Sequence, residues 1–279
     1  MGVIIVLFIL VAVSIYLYQQ NHSLERSYYR LRVPHAHQQL TGTKIVHLSD
    51  LHLPNAGASL STIVQGVKEE QPSVIVITGD IIHASIDELP EKELTTFGKE
   101  LSSIAPVYAV TGNHDLGAAQ MEKWNAILSA SGIQPLHDES VWLSLKEGGL
   151  CMMGLSEKNQ LSSTSKTRLK HLSVPEGKET QFKILLAHHP EHFEDYVKNP
   201  EKAPDLVLAG HTHGGQVILP IVGGLYAPGQ GKLPIYDYGI FMSARDPSKR
   251  LIISRGLGNS TFPFRINNRP EMVVVQLES

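Results

Sequence analysis

Short apolar runs alternate with longer amphipathic stretches between residues 44 and 130. The runs are rich in β-branched residues and predict buried strands at Lys44–Ser49, Ser73–Thr78 and Val107–Thr111. The stretches repeat their apolar positions with a helical period and predict helices at Ser59–Glu70, Glu91–Ser103 and Gln120–Ala130. This alternation is typical of a parallel sheet whose strands are joined by crossover helices.

After residue 140 the pattern changes, because strand-like runs follow one another with fewer helices between them. The predicted strands are Val141–Leu145, Leu150–Gly154, Phe182–Ala187, Leu206–Ala209, Gln216–Leu219, Leu251–Ser254 and Met272–Leu277. A second, mixed sheet packed against the first would accommodate them. We therefore expect an α/β fold with helices outside two central sheets.

The first 24 residues form a separate region. Met1 to Leu24 carries no charged side chain, and Val3–Tyr18 is apolar at every position except Ser14. A helix of ~20 residues spans a hydrocarbon core of ~30 Å, so this stretch predicts a transmembrane anchor. A cleaved signal peptide is the alternative, but no Lys or Arg precedes the apolar run and no small-x-small cleavage site follows it.

The residues after the apolar stretch indicate its orientation. Arg26, Arg30 and Arg32 follow it and no basic residue precedes it, so the positive-inside rule places the C-terminal body in the cytoplasm. Residues 25–42 combine mixed charge with Pro34 and show no sustained period, which indicates a linker. The globular domain is expected to cover residues 43–279.

Composition narrows the classes of function. Hydrophobic residues make up 42% of the 279-residue chain and charged residues 18%, which is typical of a globular protein. The formal net charge of -3 gives no electrostatic reason to bind nucleic acid. A single cysteine, Cys151, excludes an internal disulfide and a cysteine-based zinc site. The 14 histidines are scattered rather than in one tract, which favours imidazole chemistry in the fold.

Five polar segments carry the candidate chemistry, and each follows a predicted apolar strand. They are Asp50-Leu51-His52, Gly79-Asp80, Gly112-Asn113-His114-Asp115, His188 within LLAHHP, and Gly210-His211-Thr212-His213. Ligands of open α/β sheets bind at the carboxyl ends of strands, so these loops can converge on one site. Residues two apart on an extended segment point the same way, so Asp-x-His and His-x-His pairs can each bind one metal centre. Carboxylate, imidazole and amide donors suit Mn, Fe or Zn.

In this order the five segments resemble the signature of the calcineurin-like metallophosphoesterase superfamily, which reads D-x-H, G-D, G-N-H-[DE], H and G-H-x-H. The resemblance covers residues 43–279. The strings TGD, TGNHD, GHTHGGQ and SRGLG resemble the bacterial membrane-anchored branch, which includes phosphodiesterase-like and lipid-A-precursor pyrophosphatase-like members. The resemblance implies a four-layer α-β-β-α sandwich with two divalent metal ions.

The same resemblance implies roles for individual residues. The first metal would be held by Asp50, His52 and His213, the second by Asn113, His188 and His211, with Asp80 bridging both. Ions ~3.5–4 Å apart activate a bridging water as hydroxide for in-line attack on phosphorus, and Mn is the favoured metal. His188 is favoured over His189 because it directly follows the apolar run. His114 would donate a proton to the leaving oxygen or a hydrogen bond to the transition state.

One position departs from the family pattern. Relatives often carry an acid three residues after the bridging Asp, where it orients the catalytic histidine, and here that residue is His83. Either another acid such as Asp115 supports His114, or the leaving-group step is differently tuned. Arg255 and Arg265 are candidates for clamping a substrate phosphate, with ordinary surface pairing as the alternative.

The expected function is metal-dependent hydrolysis of a phosphoester. The branch resemblance favours a phosphodiester or a pyrophosphate over a simple monoester. The anchor favours a membrane lipid as substrate because it concentrates the site beside the bilayer, and a nucleotide is the alternative. A non-catalytic scaffold of the same fold is the other class, and the intact motif residues argue against it. No protein partner is predicted, and Leu155–Ser165 and Pro220–Pro234 are the expected lids.

Overall fold

The structure is a computed structural model and describes residues 1–117, 120–157, 169–259 and 262–279. Its helices are α1 (Gly2–His22), α2 (Leu60–Glu70), α3 (Glu91–Ser102), α4 (Asn113–Gly117), α5 (Met121–Ala130) and α6 (Phe193–Tyr196). Short 3₁₀ helices lie at His35–Leu40, Pro190–His192 and His213–Gly215. Most of the expected lid Leu155–Ser165 lies outside the described residues.

Strands make up most of the remaining regular structure. The first eight are β1 (Glu25–Arg32), β2 (Lys44–Leu48), β3 (Val74–Thr78), β4 (Val107–Val110), β5 (Ile133–Pro135), β6 (Glu139–Leu145), β7 (Gly148–Gly154) and β8 (Lys183–Leu186). The others are β9 (Leu206–Ala209), β10 (Ile218–Leu219), β11 (Gly223–Gly224), β12 (Tyr226–Ala227), β13 (Gly231–Lys232), β14 (Gly239–Met242), β15 (Arg250–Ile253) and β16 (Glu271–Glu278).

Two six-stranded sheets form the centre of the described fold. In the first sheet the order is β1-β16-β2-β3-β4-β5, and β2 to β5 run parallel. In the second the order is β14-β15-β9-β8-β7-β6, and the four strands β15, β9, β8 and β7 run parallel. Antiparallel pairing joins β16 to β2 and adds β14 and β6 at the edges of the second sheet. The predicted pair of sheets is confirmed.

Three buried clusters separate four layers. The first cluster lies between the first sheet and helices α2, α3 and α5, and it includes Phe97 and Trp124. The second lies between the two sheets, where Val76 of β3 and Ile184 of β8 are both fully buried. The third covers the outer face of the second sheet and includes Phe193 of α6. The layer order is therefore α-β-β-α, as predicted.

Helix α2 shows how the local sequence sets the limits of an element. Ser59 precedes the helix, and its Oγ accepts a hydrogen bond from the Thr62 amide, which satisfies a free N–H group of the first turn. Ile63 and Val67, four residues apart, are buried on the face that packs on the sheet. The helix ends where Gln71 adopts a left-handed backbone with a φ of 49°.

Residues 25–42 do not form the predicted linker. Glu25–Arg32 is strand β1, which pairs in parallel with β16 along its whole length at the edge of the first sheet. Tyr29 and Leu31 turn towards the protein and alternate with exposed neighbours. The prediction was wrong because four of the eight residues are charged, which hides the two-residue period of an edge strand. Helix α1 therefore leads almost directly into the folded body.

One buried carboxylate ties β1 and β2 to helix α2. Glu70 Oε1 accepts hydrogen bonds from Tyr28 Oη at 2.8 Å and from Arg26 Nη1 at 3.3 Å. Glu70 Oε2 accepts a hydrogen bond from Lys44 Nζ at 3.2 Å. Burial alone would raise the pKa of Glu70, but these donors outweigh burial and hold its pKa below the ordinary value.

We expect Glu70→Gln to lower the free energy of unfolding by about 1–3 kcal/mol at neutral pH, since it weakens hydrogen bonds to a charged acceptor. Because the folded-state pKa is depressed, the carboxylate's contribution is fully present above its unfolded pKa and is lost as the pH falls through the folded value. Urea unfolding at pH 7 and at pH 3 should therefore show a smaller difference between wild type and variant at pH 3. Glu100→Gln, a change at an exposed acid of α3, is the control, and an equal difference at both pH values would contradict the assignment.

Candidate metal centre

The predicted site residues lie at the carboxyl ends of five parallel strands. They follow β2 (Asp50, His52), β3 (Asp80), β4 (Asn113), β8 (His188) and β9 (His211, His213). The first three strands belong to one sheet and the last two to the other. The sheets pack face to face with these ends on the same side, so the side chains meet in one cluster.

Three side chains form the first group. One atom each from Asp50, His52 and His213 lies within 4.8 Å of the other two. His213 Nε2 lies 3.1 Å from His52 Nε2 and 3.6 Å from Asp50 Oδ1. Two imidazole nitrogens and a carboxylate oxygen at these separations can coordinate one divalent cation.

A second group lies beside the first. It consists of Asp80, His188 and His211, whose ligand atoms also lie within 4.8 Å of one another. His188 Nε2 lies 3.3 Å from Asp80 Oδ2 and 3.1 Å from His211 Nδ1. Asn113 Oδ1 lies 3.2 Å from His188 Nε2 and adds an amide oxygen to this group. The donor set again suits a divalent cation.

Asp80 connects the two groups. Its Oδ2 lies 3.3 Å from His188 Nε2 in the second group and 3.6 Å from His52 Nε2 in the first. Burial alone would raise the pKa of Asp80, but the surrounding histidines, led by His188, hold its pKa below the ordinary value. A carboxylate anion between two sets of imidazoles is suited to bridge two cations.

Burial favours the neutral, metal-binding form of three ligand imidazoles, whereas at His188 the effect of burial is outweighed by the nearby carboxylates, led by Asp80, which raise its pKa. Burial lowers the pKa of His52 to about 3, and it lowers the pKa values of His211 and His213 well below the ordinary value. A neutral imidazole has the lone pair that a metal requires. His188 Nδ1 donates a hydrogen bond to the Thr78 carbonyl at 2.8 Å, which turns its Nε2 towards the cluster. These donors therefore fit a pair of divalent cations.

The backbone at five of the ligand candidates is left-handed. The φ angles are 51° at Asp50, 51° at His52, 51° at Asp80, 70° at His211 and 49° at His213. Each non-glycine residue in this region costs of order 1 kcal/mol or more, and such strain concentrates at functional sites. The strand ends are thus bent to aim these side chains inward.

Two glycines allow the loops to approach each other. A Cβ at Gly112 would lie 2.2 Å from Asp80 Oδ1, and a Cβ at Gly210 would lie 2.3 Å from Asp50 Oδ2. Both distances are shorter than any van der Waals contact, so a side chain at either position would displace a carboxylate of the cluster. The glycines in the motifs are required by close packing around the site.

His114 lies beside the two groups. Its half-buried ring packs edge-on against His52, with the ring centroids 4.5 Å apart. The Ala84 amide donates a hydrogen bond to His114 Nδ1 at 3.1 Å, so the proton of the neutral ring is on Nε2. His83, at the departing motif position, bonds through Nδ1 to Ser85 Oγ at 2.7 Å. The Nε2–H of His114 is therefore the available donor.

Asp115 does not orient His114. Its carboxylate oxygens accept hydrogen bonds from the Ile82 amide at 3.1 Å and the Gly112 amide at 2.8 Å. Of the alternatives drawn from the sequence, support by Asp115 is therefore wrong. A backbone amide, that of Ala84, sets the tautomer of the histidine instead.

Both arginines predicted as a phosphate clamp are buried in the fold. Arg255 Nη2 pairs with Glu271 at 2.9 Å and with Glu25 at 3.3 Å. Arg265 is fully buried, donates to backbone carbonyls including that of Arg255 at 2.9 Å, and lies 3.4 Å from His213 Nδ1. Since both guanidinium groups are engaged within the protein, the structure contradicts the predicted clamp. The two arginines stabilise the chain segments that pack against the His213 turn.

A carboxylate that the sequence did not reveal lies next to the second group. Glu157 is fully buried, and its Oε1 lies 2.8 Å from His189 Nε2. His189 Nδ1 lies 2.9 Å from Glu191 Oε1, and the ring of His189 lies 4.1 Å from that of His211. His188 therefore faces the cluster and His189 supports it from outside. Glu157 follows β7 without any motif around it, so only the tertiary fold identifies it.

Comparison with known proteins decides the family. The sequence profile of the calcineurin-like phosphoesterases matches residues 43–215, which is more than half of the chain and contains every candidate metal ligand. The chain belongs to the calcineurin-like phosphoesterase family. It is accordingly a metal-dependent phosphoester hydrolase that uses divalent cations and acts on a phosphorylated substrate.

Several relatives resemble this calcineurin-like phosphoesterase over most of its length. The metallophosphoesterase YkuE of Bacillus subtilis is 29% identical over 276 residues, which cover 94% of this chain and 88% of YkuE. The phosphodiesterase YaeI of Escherichia coli is 27% identical over 240 residues, 84% of this chain and 82% of YaeI. A transmembrane protein with a metallophosphoesterase domain from Danio rerio is 28% identical over 86% of this chain and 54% of its own length.

Helix α1 gives the calcineurin-like phosphoesterase a candidate membrane anchor. The helix has 21 residues, and its most apolar 18-residue window has a mean hydropathy of 2.4 with none of that window buried in the protein. It is long and apolar enough to cross a membrane.

Proposed function

We propose that this protein is a membrane-anchored phosphoesterase that uses two metal ions to hydrolyse a phosphodiester or pyrophosphate bond. The observation that carries the proposal is the pair of buried His/Asp groups joined through Asp80 Oδ2, which lies 3.3 Å from His188 Nε2 and 3.6 Å from His52 Nε2. Such a pair of linked donor sets suits two divalent cations acting on one phosphoryl group.

The ligand roles follow from the two groups. Asp50, His52 and His213 hold the first ion, Asn113, His188 and His211 hold the second, and Asp80 contacts both. When bound, the ions polarise the phosphoryl oxygens and lower the pKa of water, which makes hydrolysis possible at neutral pH. Nitrogen and oxygen donors without thiolate suit Mn²⁺, Fe²⁺ or Zn²⁺, and of these we propose Mn²⁺ as the native metal. The domain comprises residues 43–279 together with β1.

His114 is the proposed donor of a hydrogen bond to the leaving oxygen. The amide of Ala84 fixes its tautomer, so that Nε2 carries the single proton of the neutral ring and offers it as a hydrogen bond. The backbone N–H of His114 donates to Asp80 Oδ1 at 2.8 Å, which holds the loop at a fixed distance from the bridging carboxylate. The same residue thus combines placement with stabilisation of the charge that develops on the leaving oxygen.

The anchor is proposed to be retained, with the catalytic domain in the cytoplasm. Gln20 and Asn21 at the end of α1 are buried, which is unlike a segment removed by cleavage. Asn21 Oδ1 accepts from the Arg265 amide at 3.0 Å, and Gln20 Oε1 accepts from the Asn268 amide at 2.9 Å. Losing these residues would leave buried amides without partners. The three arginines that follow α1 support the cytoplasmic orientation.

The proposed substrate is a phosphodiester or pyrophosphate of a membrane lipid. The relative YaeI is named a phosphodiesterase, which supports diester chemistry. An anchored enzyme meets a lipid substrate at high effective concentration, which supports a lipid over a soluble nucleotide. The likeness to relatives named transmembrane proteins supports the same view.

Full-length protein loaded with Mn²⁺ should hydrolyse bis(4-nitrophenyl) phosphate faster than 4-nitrophenyl phosphate. Chelation should abolish turnover, and added Mn²⁺ should restore it, because the proposed nucleophile is a water that only bound metal would activate. The measurement is the release of nitrophenolate, with metal content determined on the same sample. A folded protein that binds no divalent metal would overturn the proposal, and turnover of the monoester alone would overturn its diester part.

A further inference from the structure

Large apolar side chains are exposed on two segments beside the metal centre, residues 216–236 and 262–269, which are joined by the bridge between Val217 and Ile266. We call them the apolar rim: Ile221, Val222, Tyr226, Leu233, Ile235 and Phe264. Ile221 is fully exposed and Ile235 is 80% exposed. Soluble surfaces rarely concentrate large apolar side chains in this way, and such patches mark sites of interaction.

Two rim residues adopt a backbone conformation that is disfavoured for their residue types. Ile221 follows Pro220 in a turn closed by the Val222 amide and the Leu219 carbonyl at 3.2 Å, and its φ is 72°. Glycine is favoured at this turn position, and a β-branched residue there is an outlier. Leu233 is also exposed at a φ of 52°. The apolar side chains of Ile221 and Leu233 stay exposed to solvent, so burial on folding does not explain why these two positions are apolar.

The rim is continuous with helix α1. Tyr16 Oη of the helix donates to Asn267 Oδ1 at 2.7 Å, and Asn267 Nδ2 donates to the Ile218 carbonyl of β10 at 3.2 Å. Tyr16 lies six residues before the end of α1, about 9 Å along the helix axis. Strand β10 is therefore linked to the helix through Asn267, at the level of Tyr16 inside the apolar stretch.

The two segments that carry the rim contain basic side chains and no acidic ones. Residues 216–236 contain the exposed Lys232, and residues 259–269 contain the partly exposed Arg269 besides the buried Arg265. The adjacent Asp237 lies against the rim strands, where its Oδ2 accepts a hydrogen bond from the Gly224 amide at 2.9 Å. Basic residues next to exposed apolar ones are attracted to the anionic lipids of a cytoplasmic leaflet. A protein partner would give no reason for basic and exposed apolar residues to lie beside a membrane anchor, so their position favours a lipid surface as the occupant.

We propose that the apolar rim is a lipid-contact surface that embeds in the interface of the bilayer crossed by α1. The proposal rests on the membrane anchoring proposed above. Gly215 packs directly against Gly224 of β11, so the hairpin that carries part of the rim contacts the turn that contains His213. Embedding the rim therefore holds the metal centre at the level of the lipid headgroups.

Fluorescent labels test this contact in the full chain. Cys151 is fully buried, so an exposed engineered cysteine is the accessible thiol. We would label Ile221→Cys and Ile235→Cys with an environment-sensitive dye and reconstitute each protein in phosphatidylcholine/phosphatidylglycerol vesicles. Glu147→Cys is the matched control, because Glu147 is exposed in the β6–β7 turn at the opposite end of the second sheet.

Labels at residues 221 and 235 should shift to shorter wavelength, and a lipid carrying a quencher near its headgroup should quench them at least twofold more than the label at 147. Flotation of the vesicles measures anchoring separately. A protein that floats without quenching would overturn the rim proposal and leave the anchor intact, and a protein that does not float would overturn both. A wavelength shift without quenching would indicate contact with a second protein copy and would also overturn the lipid contact.

Discussion

Asp80→Asn should lower phosphodiester turnover by at least about three orders of magnitude, because metal-assisted activation of water depends on both ions being held. Asp80 Oδ2 lies within 3.6 Å of a histidine nitrogen in each group, so an uncharged amide weakens both groups at once. Asparagine is nearly isosteric with aspartate. Its amide oxygen can still accept the hydrogen bond from the His114 N–H that Asp80 Oδ1 accepts at 2.8 Å. The protein should therefore stay folded.

Metal content and turnover, measured on the same preparation, check this prediction. Wild type should bind two Mn²⁺ ions and the variant one or fewer. Asp205→Asn is the matched control, because Asp205 lies before β9, at the opposite end of the strand that leads to His211, and pairs there with Lys249 at 2.8 Å. Retention of two ions with turnover within tenfold of wild type would show that Asp80 does not bridge the groups.

The fold was predictable where burial enforces a clear period. Strands β2, β3 and β4 are buried along almost their whole length, and their predicted limits agree with the structure within one residue. Strand β1 was missed because charged residues cover its exposed face at the sheet edge. The hairpins β10–β11 and β12–β13 have two residues in each strand, which is too short for a period to show, and only β10 overlaps a predicted strand, Gln216–Leu219. Tertiary contacts with the His213 turn hold them in place.

The candidate site was predictable to the extent that its residues follow strand ends in a recognisable order. The motif identified the side chains that meet in the two groups, because parallel strands bring their carboxyl ends to one edge. The sequence could not show which charged side chains form ion pairs and hydrogen bonds inside the protein. Arg255 and Arg265 carry the signal of an anion clamp, yet Glu271 and backbone carbonyls occupy them. Nor could it show that a backbone amide fixes His114.

His114→Asn should lower turnover by about two to three orders of magnitude while both ions remain bound, which is the range for losing a hydrogen-bond donor to charge that develops in the transition state. The residue is placed by its own backbone N–H on Asp80, and that bond survives the substitution. The loss should be largest for alkyl leaving groups, whose oxygens carry the most negative charge as they depart. It should be smallest for 4-nitrophenolate, which leaves readily as an anion.

A series of phosphodiesters with leaving groups of increasing pKa distinguishes a hydrogen bond to the leaving oxygen from simple placement. For wild type the rate should depend weakly on the leaving group, and for His114→Asn it should fall steeply as the leaving-group pKa rises. His137→Asn is the control, because His137 bonds to Asn125 at 2.7 Å away from the cluster and should leave the dependence unchanged. Equal losses for every leaving group would mean that His114 does not act on the leaving oxygen. The Nε2–H that the Ala84 amide holds in place would then stabilise charge on the phosphoryl oxygens instead.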